Sequence, residues 1–280
     1  MDLGISGRRA IVCASTSGLG YGCAVALAEA GCHVVLNGRD PRKVEEVAYD
    51  LEDRWCVRVT GVAADISTAE GQRTLLSACP DPDILVTNNL GNRTGQRLGA
   101  RDRLDVRRSL AGGDEGVATP RELIYATIDG MAERGFGRIV NIVSGAVNRS
   151  FPDFDLALGG GTGLMAFLAG IAKRFAARNV TLNNLLPGVF RTDSYHRHLR
   201  NRIEETGAAA ETIAHESIEE IPARRAGTTE EFGQTCAFLC SQYAGYLTGR
   251  NLVLDGGYYL GAQAEGRRPS PFSIFKAYED

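Results

Sequence analysis

Apolar and polar positions along the chain alternate between two periods. Short runs of mostly β-branched residues, Ala10–Cys13, Val34–Asn37, Val57–Ala63, Ile84–Thr87, Arg138–Val143, Val180–Leu186 and Asn251–Asp255, read as strands. Between them Gly18–Ala30, Pro41–Arg54, Ala69–Ala78, Pro120–Gly135, Leu164–Arg178 and Glu230–Ser241 read as helices. The strands are continuously apolar instead of alternating, as expected where helices cover both faces of a parallel sheet. Right-handed crossovers then predict an α/β chain with a doubly wound parallel sheet of about seven strands in three layers, α/β/α.

Three segments break the alternation. Residues 92–108 carry Arg93, Arg97, Arg101, Arg103, Arg107 and Arg108. Their cluster has three readings: a face for an anionic substrate such as a carrier-protein or coenzyme A phosphate, a solvated surface, or salt bridges to a partner subunit. Residues 190–222 form a polar insertion after the sixth strand, and residues 261–280 form a tail. The tail's Phe272, Phe275 and Tyr278 predict contact with another subunit, because such rings are poorly accommodated in water. Residues 1–260 are expected to form one domain, an ordinary size for this class.

Composition narrows the class of partner. The formal net charge is -3 with acidic and basic residues nearly balanced, which leaves no overall field for nucleic acid or an anionic membrane and points to a small-molecule substrate. The seven cysteines, Cys13, Cys23, Cys32, Cys56, Cys79, Cys236 and Cys240, form no C-x-x-C pair and read as small core residues of a reducing compartment, with no metal site. No apolar leader or span-length apolar stretch is present in the sequence, so a cytoplasmic location is expected.

The chemistry begins after the first strand. Cys13-Ala14-Ser15-Thr16-Ser17-Gly18-Leu19-Gly20 opens the first helix. Small residues there let backbone N–H groups approach a pyrophosphate, and the helix N-terminus adds partial positive charge. That is the arrangement of a Rossmann-type dinucleotide site, although the same glycines would also serve strand–helix packing alone. The second strand ends Asn37-Gly38-Arg39, without the carboxylate that grips the ribose 2′-OH of NAD(H). Arg39 instead suits a 2′-phosphate, which favours NADP(H); it reads equally as a solvated arginine.

Together with Asp65-Ile66, Asn88-Asn89-Leu90-Gly91, Pro187-Gly188-Val189-Phe190-Arg191-Thr192-Asp193 and Leu254-Asp255-Gly256-Gly257, these pieces resemble the short-chain dehydrogenase/reductase family over about residues 5–260, and most of all its β-ketoacyl carrier-protein reductase branch. The resemblance implies cofactor contacts from Ala14, Ser15, Ser17, Gly18, Leu19, Gly20 and Arg39. It also implies Asp65 and Ile66 near the adenine, Asn88 beside the cofactor, Pro187, Gly188 and Thr192 around the nicotinamide, and residues 190–222 as a lid over the substrate. Ala14 stands where the family has its first glycine, and Leu90 replaces a small residue close to the ribose. Ser144 matches the family's catalytic serine. The family spacing carried on from it places the catalytic tyrosine and lysine on Ala157 and Gly161, and carried further it reaches Pro187 without a gap; the family asparagine falls on Gly116. Three of four catalytic side chains are therefore missing.

A positioned general acid is worth a factor of about 10² to 10⁴ in rate, so another donor is needed if the chain reduces anything. Asp153, Asp155, Tyr195, His196 and His198 are candidates, though each alone reads more simply as solvated. Tyr125 reads as core. Gly159-Gly160-Gly161-Thr162-Gly163 predicts a helix that starts late, near Gly163 or Leu164, leaving either an anion-binding turn or a decayed site. Three functions remain: an NADP(H)-dependent oxidoreductase on a small carbonyl or alcohol with a non-standard proton donor, a redox-neutral isomerase, lyase or dehydratase, and a non-catalytic subunit paired with an active homologue. The family also implies a homodimer or homotetramer.

Overall fold

A computed structural model describes residues 1–88, 106–143 and 157–258, with side chains described throughout except at 106–118, 157–162 and 164. Seven strands, β1 (Arg9–Val12), β2 (His33–Gly38), β3 (Val59–Ala63), β4 (Ile84–Thr87), β5 (Gly137–Ile142), β6 (Val180–Pro187) and β7 (Asn251–Leu254), form one sheet in the order β3-β2-β1-β4-β5-β6-β7. Every pairing is parallel. The doubly wound, three-layer architecture read from the sequence is therefore present. Its order reverses between β1 and β4, the crevice where such sheets bind ligands.

Helices α1 (Gly18–Glu29), α2 (Pro41–Trp55) and α3 (Ala69–Ala78) follow the first three strands, and α4 (Val106–Glu133), α5 (Ala157–Phe175), α6 (Asp193–Thr206), α7 (Ala210–Glu219) and α8 (Thr229–Cys240) follow in chain order. One apolar cluster lies under α1 and α8, with Leu27, Leu36, Val86 and Phe232 fully buried. A second lies under α4 and α5, with Ile11, Leu85, Leu123, Ile124 and Ile139. Helix α1 has almost no polar face because α8 covers it. A Cβ at Gly22 would sit on the Thr229 carbonyl, and one at Gly233 on the Gly22 carbonyl, so the two backbones touch.

Four sequence expectations are corrected. Helix α5 starts at Ala157, not near Gly163 or Leu164, and runs through the whole glycine stretch before ending at Phe175. The propensity cost of those glycines is overcome because Met165, Leu168, Ile171 and Ala172 bury one face of the helix. Helix α4 begins at Val106, well before Pro120, which lies inside it, and so takes in Arg107 and Arg108. Tyr125 is 57% exposed, set edge-on to Phe167 on the outer side of α4 and α5, and is not core. Cys56 is exposed at the left-handed end of α2, whereas the other six thiols are buried.

A row of polar side chains crosses the sheet under α4 and α5. Thr87, Asn141, Asn184 and Asn251 are paired neighbours on β4, β5, β6 and β7. Thr87 Oγ1 donates to Asn141 Oδ1 at 2.7 Å and Asn184 Nδ2 to Asn251 Oδ1 at 2.7 Å. Asn184 Oδ1 is buried without a partner among the described residues.

The amino ends of the strands are tied by charge. Asp83, just ahead of β4, accepts from Arg8 Nη1 at 3.3 Å and from the Arg9 N–H at 3.0 Å. Arg134 donates to Asp81 at 3.4 Å and to the Pro82 carbonyl. Arg138, buried at the start of β5, donates to the carbonyls of Ser241, Gly137 and Asn179 and to Asn179 Oδ1. Its guanidinium lies 4.3 Å from the centre of the Phe136 ring.

Candidate active site

At the carboxyl end of β1 the chain turns sharply into α1. Ser15 is fully buried: its hydroxyl donates to the Val12 carbonyl at 2.7 Å and accepts from the Asn37 N–H at 3.0 Å, and its own N–H donates to the Asn37 carbonyl at 2.8 Å. Of the loop residues the sequence offered for a cofactor, Ser15 thus uses its polar groups internally and anchors the turn. Ala14 is exposed with φ +47°. Its N–H donates to Asn37 Oδ1 and its carbonyl accepts from Asn88 Nδ2, each at 3.3 Å. The Cys13 thiol before it is pushed up to about 12 by burial, so it stays protonated near neutral pH and is a poor nucleophile.

The first turn of α1 is open. Ser17 occupies the N-cap position but its side chain makes no cap hydrogen bond, so the leading N–H groups of Gly18, Leu19 and Gly20 keep the vacancy that every helix start has. A Cβ at Gly20 would strike the Ala14 carbonyl, so that position requires glycine, and one at Gly38 would crowd the Thr16 side chain, with Cγ2 at 2.6 Å. Next to Gly38, Arg39 is exposed and lowers the Asp65 carboxyl, although hydrogen bonds from Ser67 lower it more. Asp65 Oδ1 accepts from Ser67 Oγ at 2.7 Å and from Ser67 N–H at 3.0 Å. Ile66 is in the core and its carbonyl accepts from Gln72, which leaves it only a backbone N–H for a ligand.

On the far side of the crevice, Gly188 donates to the Leu254 carbonyl at 2.8 Å, and a Cβ there would press on Asp255. The following turn is pinned by Arg191 N–H to the Gly227 carbonyl at 2.9 Å and Gly227 N–H to the Val189 carbonyl at 2.9 Å. Thr192 then caps α6, accepting from the Tyr195 N–H at 3.3 Å, and its methyl lies alongside Gly18. The expected lid is a pair of helices, α6 and α7. Tyr195 Oη lies 2.8 Å from Ser217 Oγ, which itself donates to the Ala214 carbonyl. Because a serine has one proton, the phenol must be the donor, and its proton is used to join the two helices.

Between the loop, α2 and the start of α6 opens a cleft of about 590 Å³. Thr16, Ser17 and Gly18 form its floor, Tyr21, Lys43, Glu46 and Asp50 one wall, and Arg191, Thr192 and His196 the other. Sequence reasoning did not single out Lys43 or the inward role of Asn37, although an asparagine closing the apolar run Val34-Val35-Leu36 was a visible signal. Ser144, Asp153, Asp155, Leu90, the arginines of 93–103 and the tail rings lie outside the described residues. Among the described residues no three His, Cys, Asp or Glu side chains group as metal ligands, and no helix is long and apolar enough to cross a membrane.

Helix α5 carries positions 157, 161 and 165 one turn apart on one face. Met165 of that face is buried beside Val143 and Leu186, at the ends of β5 and β6. Ala157 and Gly161, the positions reached by the family spacing, thus lie one turn apart within this helix. No tyrosine occurs anywhere between Ser144 and Pro187, and Lys173 is the sole lysine of that stretch.

Comparison with known proteins agrees with the doubly wound fold. A family model described as enoyl-(acyl carrier protein) reductase matches residues 13–259. The chain is 29% identical over 275 residues to the 3-oxoacyl-(acyl-carrier-protein) reductase FabG of Aquifex aeolicus, covering 92% of this chain and 100% of the relative. It is 30% identical over 259 residues to dehydrogenase/reductase SDR family member 4 of Pongo abelii, covering 90% and 88%. Among solved structures, L-sorbose reductase from Gluconobacter frateurii, complexed with NADPH and L-sorbose, superposes with a TM-score of 0.83 at 28% identity, over 92% of this chain and 98% of that one. On the match to its family model, the order of its sheet and the turn that opens α1, the chain belongs to the short-chain dehydrogenase/reductase family.

Proposed function

We propose that the chain is an NADP(H)-dependent oxidoreductase of a small-molecule carbonyl or alcohol that uses a proton donor other than the family's tyrosine. The observation that carries the reading is the open first turn of α1, set against Thr192 at the crevice where the sheet order reverses. The residues present fit the dinucleotide: free N–H groups over Gly18–Gly20 for the pyrophosphate, glycines where a Cβ would collide, and Arg39 beyond Gly38 for a 2′-phosphate. Relatives with NADPH in their names, such as the NADPH-dependent reductase BacG of Bacillus subtilis, support the choice of NADP(H) over NAD(H).

When bound, the nicotinamide supplies or accepts the hydride. The chain must then deliver or remove a proton at the substrate oxygen. Ala157 and Gly161 hold no proton to give, and the Tyr195 hydroxyl is bonded to Ser217. Ser144, Asp153, Asp155, His196 and His198 remain as candidates, and the position of His196 on the cleft next to Thr192 supports choosing it, since an imidazole exchanges protons readily near neutral pH. A second reading, a non-catalytic subunit paired with an active homologue, is favoured by the simultaneous loss of side chains at 116, 157 and 161.

Calorimetric titration of the purified chain with NADPH and NADH separates the readings. Binding of NADPH at least about tenfold tighter than NADH is expected from one charge-assisted contact to the 2′-phosphate, and failure to bind either nucleotide defeats the oxidoreductase. Given binding, reduction of a carbonyl panel followed by NADPH absorbance should fall in His196→Gln and in Ser144→Ala. Absence of turnover in the wild type together with its appearance in an Ala157→Tyr, Gly161→Lys double variant favours the non-catalytic subunit.

A further inference from the structure

Among the described residues four non-glycine positions have positive φ: Ala14, Cys56, Asn179 and Arg224. Cys56 and Asn179 close helices, where a left-handed residue is ordinary. Ala14 does not. It follows a strand, in the loop that faces the dinucleotide, and its left-handed backbone is unfavourable for any residue with a Cβ. Something must impose it, and the hydrogen bonds show what does.

Asn37 is 2% exposed, and all three of its amide positions are committed. Oδ1 accepts the Ala14 N–H at 3.3 Å, while Nδ2 donates to the Val62 carbonyl at 3.1 Å and to the Ala64 carbonyl at 3.0 Å. The amide is thereby oriented by β3 and in turn orients the peptide before Ala14. The Asn37 backbone holds the next residue, Ser15, through two further bonds. From the other side Asn88 binds the Ala14 carbonyl. The turn is held at both of its ends, and Gly20 lies directly against it.

We infer that Asn37 is a positioning residue for the dinucleotide: its amide forces Ala14 into the left-handed turn and so aims the first N–H groups of α1 at the phosphates. The inference rests on the dinucleotide reading above. A glycine at 14 would take the same turn unaided, which gives a test that a merely structural asparagine would not satisfy.

The experiment measures NADPH affinity by calorimetry and thermal midpoint for the wild type, Asn37→Ala, Ala14→Gly and the double variant. Asn37→Ala is expected to weaken NADPH binding about tenfold, the size of one ordinary hydrogen bond. Adding Ala14→Gly should restore most of the affinity while leaving the lowered midpoint largely unrepaired. Ala14→Gly alone, which keeps both backbone hydrogen bonds and relieves the left-handed strain, should raise the midpoint and bind at least as tightly as the wild type, and it keeps the test open if Asn37→Ala does not fold. Unchanged affinity in Asn37→Ala, a double variant that binds as poorly as Asn37→Ala, or an Ala14→Gly chain no more stable than the wild type each overturns the inference. A wild type and an Ala14→Gly chain that both fail to bind NADPH and NADH instead defeat the dinucleotide reading, and the inference with it.

Discussion

The two ends of the sheet hold themselves together in opposite ways. At the amino ends of the strands, polar groups are used up on one another: Asp83 is shared by Arg8 and Arg9, Arg134 is tied to Asp81 and Pro82, and Arg138 is spent on carbonyls. At the carboxyl ends, cohesion comes from backbone laid on backbone, as at Gly22 and Gly233, and from inward-facing anchors such as Ser15. The donors of the α1 first turn are left open there. An end that satisfied all its own hydrogen bonds would have nothing to offer a ligand. The difference separates the part of the chain that only has to be stable from the part that also has to bind.

Gly22→Leu should break the comparison most severely. A side chain forced between α1 and α8 meets the Thr229 backbone, and overpacking without room to relax is expected to cost about 3 kcal/mol or more, seen as loss of soluble protein or a much lower denaturation midpoint. Asp83→Asn comes next. Its side chain is 8% exposed and faces several guanidinium groups, so neutralising it should cost about 2 to 3 kcal/mol in urea unfolding. It should not alter NADPH affinity, and a change in affinity would show that the two ends are coupled. Arg39→Ser should do the reverse: a stability change within about 0.5 kcal/mol, with the preference for NADPH over NADH reduced about tenfold in calorimetry.

The smallest effect concerns α8. Thr228 and Glu231 form a capping box, and Arg225 pairs with Glu231 at 2.6 Å. The Glu231 carboxyl is lowered to about 2, chiefly by the Arg225 hydrogen bond and then by the Thr228 N–H. A depressed folded value means the stabilisation is complete above the unfolded carboxylate range and is lost as pH falls from about 4.5 toward 2. With the side chain 43% exposed, solvent screening limits it to under about 1 kcal/mol. Acid titration of the wild type against Glu231→Gln should show this small difference, and identical curves would assign α8 stability to packing alone.

How much of this was legible in the sequence depended on whether a signal was local. The strands and the turn opening α1 announced themselves through period and small residues, because burial between two helical layers demands continuous apolar runs. Helix α5 did not. Local propensity argues against a helix through Gly159–Gly161, and only the burial of Met165, Leu168 and Ile171 explains why it forms. The charged 190–222 stretch hid α6 and α7 in the same way, since α6 buries no residue completely and is held by contacts such as Tyr195 to Ser217. The serine at 15 was visible as a loop residue, but nothing in its neighbours showed that its hydroxyl points into the fold.

The row of polar side chains from Thr87 to Asn251 also restricts how the chain can assemble. Parallel strands buried on both faces are nearly interchangeable to the hydrophobic effect, so an aliphatic sheet could close with one strand displaced at little cost. A shift of β6 by a single residue would carry Asn184 to the opposite face, strand its amide among hydrocarbon and deprive Asn251 of its donor. Misaligned sheets are thereby penalised, and the chain has one alignment of β5, β6 and β7 to find.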